Sequence, residues 1–175
     1  MIRALMAEDL EAYVALRQEA LRDTPLAFAS SPDDDFASNI DGLRESIRKA
    51  PDWMIFGAFD DRLIGSAFDG RRLIGTAGLF RDRHVKAAHK LHLWGMYVTP
   101  STRGRGLGAE LMDAAIAHAR TIPGIDWIFL GVSSAAPAAR RLYERKGFQH
   151  WGTEPDALRE DGQSVDEYRM ALRLR

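Results

Sequence analysis

The 175-residue sequence contains no cysteine. Disulfides, thiolate metal sites and a cysteine nucleophile are thereby excluded, and the redox compartment is left open. Neither sign of charge dominates, with 24 Lys and Arg against 25 Asp and Glu and a net charge of −1. There is no global basic field to draw nucleic acid, and none is expected as a partner. No apolar run approaches the roughly 18 residues of a membrane helix. The first 13 residues turn acidic at Glu8 and hold no signal-peptide core. The expectations are no membrane partner and a cytoplasmic location. The five histidines show no ligand spacing, so no metal is expected. No linker splits the chain, and its length suits one domain over residues 1–175.

What is present is concentrated around residues 91–108. A strand-like run over 91–98 meets a turn signal at Pro100-Ser101, and Gly104, Gly106 and Gly108 then open a helix-periodic segment. Glycines let backbone N–H groups approach a phosphate, and a helix N-terminus adds free donors and a favourable dipole. The alternating glycines do not fit Gly-x-Gly-x-x-Gly, and no Gly-Lys-Ser/Thr follows, so the dinucleotide and P-loop fingerprints are both absent. A second segment runs Ala139-Arg-Arg-Leu142-Tyr143-Glu-Arg-Lys-Gly147-Phe148. It reads as a short helix with Pro137 at its first position and Gly147 just past its end.

The rest of the chain completes one mixed α/β pattern. Residues 1–5 read as a short edge strand. A helix is expected over 8–22, with Leu10, Val14, Arg17 and Leu21 at helical spacing, and another over 36–47, with Phe36, Ile40, Leu43 and Ile47. Apolar runs at 54–59, 63–68 and 73–80 read as strands. Phe59-Asp-Asp-Arg-Leu-Ile-Gly-Ser-Ala is followed by Phe68-Asp-Gly-Arg-Arg-Leu-Ile-Gly-Thr-Ala, a near-repeat over 59–77 that reads as a hairpin extension. Residues 81–90 form a basic loop, about 26 Å of strand away from the glycines. A helix follows the glycines, with Leu107, Leu111, Met112, Ala115, Ile116 and Ala119 on one face. Residues 127–132 read as a central strand covered on both sides. A strand starts at 148–152, residues 154–163 read as a polar loop, and the alternation of Tyr168, Met170, Leu172 and Leu174 marks a half-buried strand.

Arg103-x-x-Gly106-x-Gly108 resembles the pyrophosphate loop of the GNAT N-acetyltransferases, Gln/Arg-x-x-Gly-x-Gly/Ala. The 139–148 segment resembles that family's later coenzyme A-contacting helix, Ala-x-x-Leu-Tyr-x-x-x-Gly-Phe. The two motifs stand in family order with a strand-like run between them.

The resemblance implies a single GNAT-like domain of mixed α/β (α+β) class. Its central, mostly antiparallel, twisted sheet has about seven strands, flanked by about four helices and splayed at the cofactor site. It implies transfer of an acetyl group from acetyl-CoA, as co-substrate, to a primary amine of a small molecule, peptide or protein. A transferase for a longer acyl group and a coenzyme A-binding sensor with little catalysis remain alternatives. The implied cofactor contacts are Met96, Tyr97 and Val98 for the pantetheine arm and Arg103, Gly104, Arg105, Gly106, Leu107, Gly108 and Ala109 for the pyrophosphate. Arg140, with Arg141 and Arg145, would meet the adenosine 3′-phosphate. Gly95 would mark a bulge, and an N–H near it would stabilise the oxyanion. Tyr143 matches the family tyrosine that protonates the departing thiolate. His92, which would share a strand face with Trp94, Met96 and Val98, is a candidate base or a structural histidine. Glu167 or a water relay could serve instead. Phe28, Ser31, Trp94 and Tyr97 are candidate acceptor contacts. Ala136 departs from the asparagine many relatives carry and cannot cap the helix behind it, unless Ser134 substitutes. Family members often pair, so a homodimer is a further expectation.

Overall fold

The computed structural model describes residues 1–64 and 70–175, with residues 61–64 described by their backbone alone. Among the described residues, seven strands make one sheet: β1 (Ile2–Ala4), β2 (Trp53–Ile64), β3 (Arg71–Arg81), β4 (Lys90–Val98), β5 (Trp127–Ser133), β6 (Gln149–Glu160) and β7 (Gln163–Arg173). Their order is β1-β2-β3-β4-β5-β7-β6, and every neighbouring pair is antiparallel except β4 and β5. The expected edge strand is β1. Part of the 59–77 near-repeat, and with it most of the 63–68 run, lies outside the described residues.

Four α-helices flank the sheet: α1 (Leu10–Asp23), α2 (Ile40–Ile47), α3 (Leu107–Thr121) and α4 (Pro137–Arg145). On α1, Leu10, Tyr13, Leu16, Ala20 and Leu21 are buried at steps of three and four, the stripe a sheet-packed helix requires. The helix begins two residues later than expected. Asp9 closes a 3-10 turn ahead of it, its carboxylate accepting the Met6 N–H at 2.9 Å. The second expected helix divides for a similar reason. Asp35 caps a 3-10 turn at Phe36–Ser38, and Asn39 then caps α2 by accepting the Gly42 N–H at 3.0 Å.

Helices α1 and α2 close one core with β1–β4, built on Leu5, Ile55, Phe59, Leu73 and Tyr97. Helices α3 and α4 close a second on the opposite face, built on Phe56, Leu79, Leu91, Leu111, Ile128 and Met170. Close approach shapes the first core: a Cβ on Gly78 would lie 2.2 Å from the Trp94 ring, which packs there against Phe36 and Trp53.

Two expectations are corrected. The polar stretch 154–163 is not a loop; it continues β6 and turns at Asp161-Gly162 into β7. As an edge strand β6 is exposed along much of its length, so it carries polar residues on both faces and gives no alternating apolar signal. Over 127–132 strand β5 is covered on one face only. Ile128, Leu130 and Val132 are buried under α3 and α4, whereas Trp127 and Phe129 are half-buried and Gly131 is exposed. No helix among the described residues is long and apolar enough to cross a membrane.

Candidate active site

Strands β4 and β5 run parallel but pair only at Lys90, Leu91 and His92 with Trp127, Ile128 and Phe129. Beyond that apex β4 continues to Val98 and β5 to Ser133 without pairing, so the sheet opens into a V. On the β4 wall a bulge intervenes. Thr76 faces Tyr97 and Gly78 faces Trp94, which leaves Gly95 and Met96 opposite one residue. Gly95 adopts φ +62°, where a side chain is strained, and Thr76 Oγ1 donates to its carbonyl at 3.1 Å.

The bulge corrects the expected strand face. Each residue added to a strand reverses the faces of all that follow. Trp94 and, beyond the bulge, Tyr97 pack towards α1, while Met96 and Val98 turn to the α3 core. His92 and Trp94 therefore do not share a face with Met96 and Val98.

After β4 a 3-10 turn at Pro100–Thr102 leads into the glycine loop. Gly104 (φ +80°) and Gly106 (φ +83°) both take left-handed backbone, and α3 starts directly after with no side-chain cap. The Ala109 and Glu110 N–H groups bond to the Gly106 carbonyl at 2.9 and 3.1 Å. Among the described residues, the N–H groups of 104–108 find no acceptor within the chain. Gly108 has a packing role, since a Cβ there would stand 3.3 Å from Leu142 of α4.

The two loop arginines differ. Arg103 is a brace: it donates to the Val98 carbonyl at 2.9 Å, pairs with Asp23 of α1 and lies 5.5 Å over the Tyr97 ring. Around it the Tyr97 hydroxyl donates to Glu19 at 3.1 Å and the Thr99 hydroxyl also donates to Glu19, tying the loop to α1. Burial and these two carboxylates push the Tyr97 phenol well above its usual value. Arg105 is 58% exposed, 3.8 Å from Asp60.

On α4, Tyr143 is 5% exposed, with its ring 6.0 Å from Phe148. Burial holds its phenol well above its usual pKa. Ala136 caps α4 without any side-chain bond. Ser134 does not replace the missing cap, because its hydroxyl accepts the Asp166 N–H at 3.2 Å. Arg140 is engaged by Glu144 at 3.0 Å and by the Tyr168 ring at 4.2 Å, whereas Arg141 and Arg145 are exposed.

His92 stands at the apex of the V. Its ring stacks on Phe80 at 4.8 Å, lies 6.1 Å from Phe129, and its Nε2 is 3.7 Å from Asp82. Burial lowers its pKa below the ordinary value, against Asp82, which raises it. Trp94 is wedged against Phe36 and Trp53, with Nε1 buried and unpaired. Phe28 lies under Arg17 at 4.6 Å, and Arg17 is held by buried Asp35 at 2.8 Å. Ser31 closes a turn on Asp34 through both its N–H and its hydroxyl. Among the described residues no group of three or more metal-ligating side chains could hold an ion.

Sequence reasoning missed Asp82, Glu19 and Asp23 as partners of these residues, and it missed the open face around Phe129. Gly131 was the available signal there, since a fully covered strand has no use for a gap in its side-chain row. A Cβ on Gly131 would lie 2.4 Å from the Glu167 carboxyl, which folds over that position. Burial raises the pKa of Glu167, against Arg169 at 2.7 Å.

Mycothiol acetyltransferase from Geodermatophilus obscurus is 33% identical over 135 residues, 75% of this chain but 40% of that protein. The chain thus spans about two fifths of the length of that relative. Phosphinothricin N-acetyltransferase from Streptomyces coelicolor is 26% identical over 94% of this chain and 91% of its own. Among solved structures, the GNAT-family acetyltransferase of Streptococcus pneumoniae superposes with a TM-score of 0.83 at 20% identity, covering 99% of this chain and 98% of its own. The yncA protein of Salmonella typhimurium, solved with acetyl-CoA, superposes with a TM-score of 0.81 at 22% identity, covering 100% of this chain and 94% of its own. The family model for Acetyltransferase (GNAT) matches residues 13–148, a span that holds the V, the glycine loop and Tyr143, and the chain belongs to that family.

Proposed function

We propose that the protein transfers an acetyl group from acetyl-CoA to a primary amine. The observation that carries this reading is the run of acceptor-free N–H groups over 104–108, set at the open end of the V between β4 and β5. Such a nest suits a pyrophosphate, with Arg105 adding exposed positive charge. Arg103 holds the loop to α1. The backbone of Met96, Tyr97 and Val98, paired to β3 on one side but, among the described residues, to nothing on its β5 side, suits the amide-bearing pantetheine arm, which would add to β4 as a strand does. An N–H of the same stretch would receive the oxyanion. Arg140, already engaged by Glu144 and Tyr168, suits the 3′-phosphate less well than Arg141 or Arg145.

In the reaction the amine nitrogen bonds to the thioester carbonyl carbon, the carbon–sulfur bond breaks and the thiolate takes a proton. Tyr143 supplies that proton. Its phenol stays protonated at neutral pH, and the burial that raises its pKa also raises that of a thiolate formed beside it. The amine loses its proton through a water relay to His92, which burial keeps neutral, or to Glu167. Phe28 and Trp94 frame the acceptor side.

Thermal unfolding with and without acetyl-CoA tests the donor, and an unchanged midpoint at saturating ligand sinks the reading. Amine-dependent thiol release tests the chemistry. Tyr143→Phe should slow turnover by about 10²-fold or more while acetyl-CoA still binds. Binding without turnover by any amine would make the protein a sensor, and turnover with longer acyl thioesters only would make it a different acyltransferase.

A further inference from the structure

Beyond β4 no α-helix among the described residues packs on the face of the sheet towards α1, and its residues form ordered rows. Cross-strand partners run Phe80, His92, Phe129, Ala171 and Gln149 in the first row. Gly131, Arg169 and Gly152 make the next, and Ser133, Glu167 and Glu154 the third. A bare sheet face is ordinarily polar. Here it is aromatic: Phe129 meets Trp151 edge-on at 6.2 Å, and Trp151 is 62% exposed although nothing polar requires a tryptophan there. The small side chain of Ala171 lies between the strands of these two rings, which keeps the floor of the corner low.

The first row holds His92 and Phe129, the last pair before the V opens, and the third row, with Ser133 and Glu167, lies four residues further along β5, on the side of the V where the thioester is proposed to sit against Met96. One row towards the mouth stands Arg169, which bridges Glu167 and Glu154 of the row beyond. One guanidinium between two carboxylates leaves the mouth net negative. At the closed end Lys90 lies 5.4 Å over Phe129 and Arg173 lies 5.7 Å over Trp127, against the one carboxylate of Asp82 beside His92, so that end is net positive. The turn at Pro25–Ala27 reaches across to β5 and β6 and roofs the groove.

We infer that the acceptor is a monoamine with a flat apolar body, its ammonium drawn by Glu167 at the mouth and its ring laid into the corner of Phe129 and Trp151. The inference rests on the acetyltransferase reading. A polyamine is disfavoured, because its second cation would meet Lys90 and Arg173 at the closed end. A strongly polar amino acid leaves the aromatic corner unused.

The test is steady-state thiol release from acetyl-CoA with tryptamine, 2-phenylethylamine, ethylamine and spermidine. The two aryl amines should exceed the others in kcat/KM by about tenfold or more. Trp151→Ala, at an exposed position, should raise the aryl-amine KM by about fivefold with the KM for acetyl-CoA unchanged. Glu167→Gln should lower kcat/KM for the aryl amines by about tenfold. Equal turnover of all four amines, or aryl selectivity that survives Trp151→Ala, overturns the inference. A wild-type chain that elutes as a dimer on size exclusion and a Trp151→Ala variant that elutes as a monomer, with selectivity intact, would assign the face to a second copy and also overturn it. Turnover of spermidine or ethylamine alone removes this inference and leaves the acetyltransferase reading standing. No acetyl-CoA binding, or no thiol release with any amine, removes both.

Discussion

Replacing Gly131 by alanine separates the function of the Glu167 carboxylate from its contribution to the fold. The added Cβ would sit 2.4 Å from both Cδ and Oε1 of Glu167 and 2.7 Å from Oε2. Ordinary contact needs about 3.5–4 Å, so the carboxylate must swing by more than about 1 Å. It sits at the end of a flexible side chain and has room to do so. The stability effect is small on both counts. Losing the partly exposed pair with Arg169 costs about 0.2–1 kcal/mol. Gly131 lies outside the left-handed region, so alanine gains about 0.4–1 kcal/mol by restricting the unfolded chain. The two nearly cancel, and Tm should move by less than about 2 °C. A charged hydrogen bond to the acceptor ammonium is worth about 1.5–3 kcal/mol, so kcat/KM for the amine should fall by about 10- to 150-fold. Calorimetry and steady-state thiol release on the same preparation make the comparison. An unchanged kcat/KM would falsify the role given to the carboxylate, and a Tm loss above about 5 °C would show Gly131 to be a structural position instead.

Two further outcomes follow from buried charge. Asp35→Asn strands the Arg17 guanidinium, whose side chain is 8% exposed, and should cost about 3–5 kcal/mol in a denaturant melt; a loss under about 1 kcal/mol refutes the pairing. For His92, the folded pKa lies below the unfolded value of about 6.5, so the unfolded chain binds the proton first as pH falls. The stability tied to the neutral ring is therefore whole above about pH 6.5 and declines below it. An NMR titration should find the imidazole pKa below that value, and lower again in Asp82→Asn, because the carboxylate is what raises it. A rise in Asp82→Asn contradicts that electrostatic account.

Residues whose identity is imposed by backbone geometry were legible in the sequence. Gly104 and Gly106 mark left-handed positions, Gly95 marks the bulge, and Pro137 and Gly147 bracket α4. The family motifs carried the seven-stranded sheet and its V. What stayed hidden depends on pairing between distant segments. The reversal of faces after Gly95 requires knowing that Gly95 and Met96 oppose a single residue of β3. The second half of β6 was concealed because an edge strand can be polar on both sides. The grip of Asp23 on Arg103 joins residues 80 apart, and no local pattern announces it.

The bulge in β4 also bears on how this chain tolerates changes of length. It acts as a phase boundary: residues before it are in step with His92, and residues after it are half a pleat out. Removing Gly95 would send Tyr97 into the α3 core and Val98 out towards α1, and the glycine loop would leave the sheet from the wrong side. The basic connection between β3 and β4, where Val85 is 93% exposed, imposes no such frame. The β3–β4 connection can therefore drift in length, while the interval from Gly95 to Gly106 is fixed in count.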